Sequence, residues 1–97
     1  MTSASARLTL VNKRGLHARA SNKFMECVLR YNAKVHVKSH NDTCAERVEA
    51  DSVLDLLLLG SAYGEDITVE AEGPEAGGVV EALTKLVNEG FLELEDE

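Results

Sequence analysis

Two stretches of this chain alternate strictly between apolar and polar side chains, and they set its architecture. In Asp66–Glu72 the residues Ile67, Val69 and Ala71 alternate with Thr68, Glu70 and Glu72, and over residues 33–38 Val35 and Val37 alternate with Lys34, His36 and Lys38. A two-residue period belongs to a β-strand with one face buried and the other in water. Strands of that kind form a largely antiparallel sheet covered on one side, because covering both sides would bury the polar row. The rest of the core has to come from elements packed on a single face.

Those elements are legible at the other period. From Ala18 onward Ala20, Phe24, Cys27, Val28 and Tyr31 recur at helical spacing, which predicts a helix of three to four turns beginning near residue 18. Upstream, Leu8-Thr9-Leu10-Val11 reads as a first strand with Leu8 and Leu10 on one face, stopping at Asn12-Lys13-Arg14-Gly15. Ser39-His40-Asn41-Asp42 is turn chemistry, and a return strand over about residues 43–50 makes a hairpin. Asp51 and Ser52 are placed to cap a short second helix, Val53 to Leu59, with Asp55 in a loose capping box and Gly60 at its end. Pro74 suits the first turn of a last helix, whose stripe Val79, Val80, Leu83, Leu86 and Val87 stops at Gly90.

The resulting order is βαββαβα: an α+β, open-faced β-sandwich with three helices on one face of a four-stranded antiparallel sheet. Ninety-seven residues suffice for one such domain. Its core spans about residues 7–92, and residues 93–97 form an acidic tail.

Charge and composition narrow the function. A net charge of −7 argues against nucleic acid as the main partner. The charge is unevenly spread, however: residues 1–25 hold Arg7, Lys13, Arg14, Arg19 and Lys23 and not one acid, while all seventeen acids follow from Glu26 onward. A local positive island attracts an anion or an acidic surface even on an acidic protein. The longest apolar run, within residues 53–59, is far below the roughly 18 residues of a membrane span, and the N-terminus has no apolar signal region, so a cytoplasmic location is expected; the chain is also expected to be a monomer. Cys27 and Cys44 form no C-x-x-C or zinc pattern and read as free thiols. No metal or other cofactor is implied, and His36 and His40 read as surface histidines.

The chemistry concentrates in Gly15-Leu16-His17-Ala18-Arg19-Ala20-Ser21, a histidine at the start of a helix with Arg14 and Arg19 on either side. Main-chain N–H groups of a first helical turn, here those of Ala18 and Arg19, stabilise an anion by about 0.3–1 kcal/mol through the dipole and more by direct bonds. A guanidinium adds charge-assisted bonds. An imidazole, largely neutral at cellular pH, is a competent nucleophile toward phosphorus. The site therefore suits a reversible phosphohistidine, although a histidine in this position also serves simply as a helix cap. There is no second acid, base or metal cluster to complete an enzyme.

Residues 12–21, together with Glu49-Ala50-Asp51-Ser52-Val53-Leu54-Asp55-Leu56-Leu57-Leu58-Leu59 and Val69-Glu70-Ala71-Glu72-Gly73-Pro74-Glu75, resemble the HPr phosphocarrier family of the bacterial phosphotransferase system. The resemblance spans about residues 7–92 and is nearest the nitrogen-related (NPr-like) branch, which has a similar ending to Asn88-Glu89-Gly90-Phe91. It implies that His17 is phosphorylated on Nδ1, that Arg19 supports the phosphoryl group and that Gly15 forms the active-site turn. It implies a relay without an active site of its own, charged by a phosphoenolpyruvate-dependent enzyme I and discharged to an EIIA-type acceptor, with sugar transport or nitrogen regulation as its output. Ser52 matches a serine that a dedicated HPr kinase phosphorylates in some bacteria. The second helix matches the family's docking patch, which offers Val53, Leu54, Leu57 and Leu58, ringed by Arg14, Arg19 and Lys23, to partners.

Three positions depart from the family pattern. Ala20 replaces a proline that would stiffen the first turn. Asp55 stands where many members have glycine or lysine, removing a basic contact. Asp51 opposes a phosphate arriving at Ser52. A different class of function with the same build is a small ligand-sensing regulatory domain, which would need a pocket at a dimer interface and no His17.

Overall fold

The computed structural model describes residues 3–12, 15–40, 48–50, 52, 56 and 63–92. Strands β1 (Ser3–Thr9), β2 (Lys34–Ser39), β3 (Val48–Glu49) and β4 (Asp66–Glu72) form one antiparallel sheet in the order β1-β4-β2-β3. Helix α1 (Ala18–Leu29) follows β1, helix α2 (Ala76–Asn88) follows β4, and Gly90–Leu92 closes the described chain as a turn with non-helical Phe91. Of the helix expected over residues 53–59 only Leu56 is described; it is helical and buried, and its N–H donates to the Ser52 carbonyl at 3.1 Å. The expected Gly60 stop, the Asp55 capping position, the turn residues Asn41 and Asp42 and the acidic tail lie outside the described residues.

β4 occupies its expected span, and register explains its alternation. Ile67 lies opposite Leu8 and Ser39, and Val69 opposite Ala6 and Val37. Ala71 lies opposite Ala4 and Val35, so this row makes the core face. The other face carries Arg7 beside Asp66, with the Arg7 Nε donating at 2.8 Å, and His36 opposite Glu70. Thr9 also donates to Asp66, at 2.6 Å, and these two hydrogen bonds, Thr9 first and Arg7 second, hold the Asp66 carboxyl below the ordinary aspartate range.

α1 buries Ala20, Ser21, Phe24 and Val28, and α2 buries Ala76, Val79, Val80, Leu83 and Val87 against the apolar face of the sheet. Phe24 and Phe91 are both fully buried and pack as tilted rings with centroids 6.5 Å apart. Removing either ring would cost about 3–5 kcal/mol.

Two boundaries differ from the sequence reading, and a third is described only in part. β1 begins at Ser3 rather than near Leu8 and ends at Thr9, because seven residues pair with β4; beyond it Leu10 still bonds Glu65 and Gly64. The return strand is two residues among those described, pairing Val48 with Val37 and Glu49 with His36. Pro74 precedes α2 instead of lying in its first turn. Glu75 is non-helical there, since its carboxylate accepts the Asn32 N–H at 2.7 Å and its own N–H donates to the Asn32 carbonyl at 3.1 Å.

Candidate functional site

The site is built by the segment that joins β1 to α1. Asn12 and Gly15 are bonded to each other twice: the Gly15 N–H donates to the Asn12 carbonyl at 3.1 Å, and the buried Asn12 Nδ2 donates to the Gly15 carbonyl at 2.8 Å. Gly15 has φ +61°, a conformation that a Cβ disfavours, so glycine makes the chain reversal cheap here. Leu16 then turns inward and is buried, and its carbonyl accepts the Ser21 hydroxyl at 3.2 Å. Between these two anchors His17 is left half-buried at the mouth of the helix.

His17 is the N-cap residue of α1. Its backbone is extended (φ −76°, ψ −179°), its carbonyl accepts the Ser21 N–H at 2.8 Å, and its Nδ1 accepts the Arg19 N–H at 3.3 Å. An accepting Nδ1 on a neutral ring places the ring proton on Nε2, so the lone pair sits on Nδ1. At 3.3 Å this bond lies beyond the usual N–H···O range and is readily surrendered. The first turn of α1 contains no acidic residue, which leaves the positive end of the helix uncompensated. The arrangement holds a nucleophilic nitrogen where an anion is stabilised by main-chain N–H groups.

Of the residues singled out from the sequence, His17, Ala18 and Arg19 come together here, with Ala18 opening the helix and the Arg19 side chain exposed. Ser52 is half-buried and its carbonyl receives the Leu56 N–H. Arg14, Val53, Leu54, Leu57 and Leu58 lie outside the described residues. The positive island is divided. Arg7 pairs with Asp66 on the polar face of the sheet, and the Lys23 Nζ donates to the Phe91 carbonyl at 2.6 Å.

Three contributors went unrecognised in the sequence. Asn12 reads there only as the start of the loop after the first strand, with no sign of its side-chain bond to Gly15. Ser21 is a polar residue on the apolar stripe that runs through Phe24 and Val28, a sign of an internal hydrogen bond. Nothing local to Phe91 announces its role. His40, read as a surface residue, shares a 2.6 Å hydrogen bond with Thr68. Among the described residues no three His, Cys, Asp or Glu side chains gather to hold a metal, and no helix is long and apolar enough to cross a membrane.

Comparison with known proteins places this geometry. Residues 4–89 match the family model described as the PTS HPr component phosphorylation site. The chain is 42% identical over 82 residues to phosphocarrier protein NPr of Klebsiella oxytoca, covering 84% of this chain and 88% of that protein. It is 39% identical over 86 residues to phosphocarrier protein HPr of Neisseria meningitidis serogroup A, covering 89% and 92%. Among solved structures, HPr of Bacillus anthracis superposes with a TM-score of 0.80 at 26% identity, covering 90% of this chain and 99% of that one. An HPr structure from Thermoanaerobacter tengcongensis gives 0.81 at 26% identity, covering 97% and 99%. These matches decide against the ligand-sensing alternative: the chain belongs to the HPr family of phosphocarriers, non-catalytic relays between enzyme I and EIIA-type partners of the phosphotransferase system.

Proposed function

We propose that His17 Nδ1 is the atom that carries the phosphoryl group, received from a phosphoenolpyruvate-charged enzyme I and passed to an EIIA-type acceptor. The observation that carries this reading is the Nδ1 lone pair held at the N-terminus of α1 by the Arg19 N–H. In the transfer the Nδ1 lone pair forms a bond to phosphorus while the donor's N–P bond breaks, and the donor imidazole takes back the electron pair. The Arg19 N–H, released from Nδ1, then has a phosphoryl oxygen to bond, and so does the Ala18 N–H beside it. The exposed Arg19 guanidinium adds charge-assisted bonds, with Arg14 as a second cation in sequence. Since both partners approach with a histidine, reversal uses the same groups in the opposite order.

The docking surface belongs to the same proposal. By sequence, Val53, Leu54, Leu57 and Leu58 would supply an apolar centre and Arg14 and Arg19 a rim, for a contact that has to form and dissociate at each step. The NPr relatives support placing the carrier in a nitrogen-related, regulatory phosphotransferase system. We take residues 1–97 as one cytoplasmic, monomeric domain, and the Cα radius of gyration of 12.2 Å fits a chain of this length. Phosphorylation of Ser52 by an HPr kinase is a separate regulatory proposal, which the charge of Asp51 works against.

Labelling with phosphoenolpyruvate and enzyme I tests the central claim. The wild-type chain is expected to take up one acid-labile, base-stable phosphoryl group, and His17→Ala to take up none while keeping its circular-dichroism spectrum. Persistent labelling of His17→Ala would overturn it.

A further inference from the structure

The C-terminal end of α2 holds an unusual turn. Gly90 and Phe91 have φ values of +63° and +58°, so two successive residues are left-handed, and the second carries a β-carbon. A left-handed non-glycine residue is disfavoured and persists only where its surroundings determine it. Two contacts do so here. The Phe91 ring is fully buried against Phe24, and the Phe91 carbonyl receives the Lys23 Nζ at 2.6 Å across 68 residues of sequence.

The turn lies against the phosphoryl-accepting segment. A β-carbon built on Gly90 would fall 3.7 Å from the Asn12 Cβ and 4.0 Å from the Val11 Cγ2, ordinary contact distances. Asn12 in turn clasps Gly15, two residues before His17. Helix α1 therefore meets the site at two points: its first turn is capped by His17, and Lys23 farther along holds the turn that backs Asn12.

We propose that Lys23 is a positioning residue of the phosphoryl-accepting site. By holding the Phe91 carbonyl it locks the Gly90-Phe91 turn behind Val11 and Asn12, and so fixes the Asn12–Gly15 clasp that aims His17. The proposal rests on His17 being the acceptor. It gives the Lys23 ammonium an internal task in place of a contact to the partner. Lys23 is half-buried, and its Nζ reaches that carbonyl at 2.6 Å.

The test compares Lys23→Met, which keeps the apolar stem, with Lys23→Arg, which keeps a cationic donor. In the isolated, unphosphorylated chain, Lys23→Met is expected to shift the Asn12 side-chain amide, the Gly15 amide and the His17 imidazole nitrogen resonances. With enzyme I as donor, it should lower kcat on the order of tenfold while leaving KM within about twofold, the signature of a misaimed group. Lys23→Arg should restore both readouts in large part. A raised KM with unchanged kcat and unchanged His17 resonances would overturn the proposal, since Lys23 would then act on the partner. Unchanged resonances and kinetics together would overturn it as well. If Lys23→Met does not fold, Lys23→Gln decides, because its shorter, uncharged side chain loosens the hold on the Phe91 carbonyl: movement of the same resonances supports the lock, and their constancy refutes it. The resonances are read without any phosphoryl donor, so failure of the lock is distinguishable from failure of His17 to accept phosphate.

Discussion

Truncating Arg19 separates its main-chain contact with His17 from the phosphoryl contact proposed for its side chain. Its main-chain N–H bonds His17 Nδ1 at 3.3 Å, and its side chain is exposed. Arg19→Ala keeps the N–H and a good helix former in the first turn, so the helix and the imidazole orientation remain. Only the guanidinium is lost. A hydrogen bond to a charged group contributes about 1.5–3 kcal/mol, which corresponds to roughly a tenfold to hundredfold change in rate. Solvent and salt screen an exposed cation, which selects the lower end, about tenfold at low ionic strength and less at high. Arg19→Lys keeps the charge but not the planar fork and should fall between. Rapid-quench measurement of single-turnover transfer from phosphorylated enzyme I, at two salt concentrations, reads this directly. Thermal unfolding should stay within about 0.5 kcal/mol of wild type. An Arg19→Ala chain that accepts phosphate at the wild-type rate at both salt concentrations would refute the reasoning and reduce the guanidinium to ordinary surface charge.

Leu54→Glu should impair transfer from enzyme I and to the EIIA-type acceptor alike, because a carboxylate would have to be desolvated at the contact. Shift mapping confined to the polar face of the sheet with either partner would exclude the shared patch. The Asp66 carboxyl, held below its ordinary range by Thr9 and then Arg7, favours the folded state above the unfolded carboxyl's pKa and loses that contribution as pH falls through the folded value. The urea midpoint of Asp66→Asn should therefore lie below wild type at neutral pH and converge with it in acid; a gap that persists undiminished in acid would contradict this. Burial between α1 and α2 raises the Cys27 thiol above its ordinary range, with Arg30 offsetting part of the rise. In a Cys44→Ser background, iodoacetamide should modify native Cys27 more slowly than the urea-unfolded chain, with its rate–pH curve displaced upward. Equal rates would show the thiol to be solvated.

What the sequence determined by itself is what local chemistry encodes. The alternation of Asp66–Glu72 specified β4 to the residue, because a two-residue period has meaning only on a half-buried strand. The 3.6-residue stripe placed the start of α1 at Ala18, and with it the histidine at the helix mouth among cations, since capping and dipole effects act within one turn. What tertiary structure decided lies between segments distant in the chain. Ser3–Ala6 is weak strand sequence and becomes β1 because β4 offers seven partners. The direction of the Lys23 ammonium, the left-handed Phe91 and the clasp of Asn12 have no periodic signature. Lys23 resembles any amphipathic helix lysine until a carbonyl 68 residues away is brought to 2.6 Å. A helix mouth is local and can be read in sequence; the aim of the imidazole depends on the long-range packing that fixes the segment leading into it.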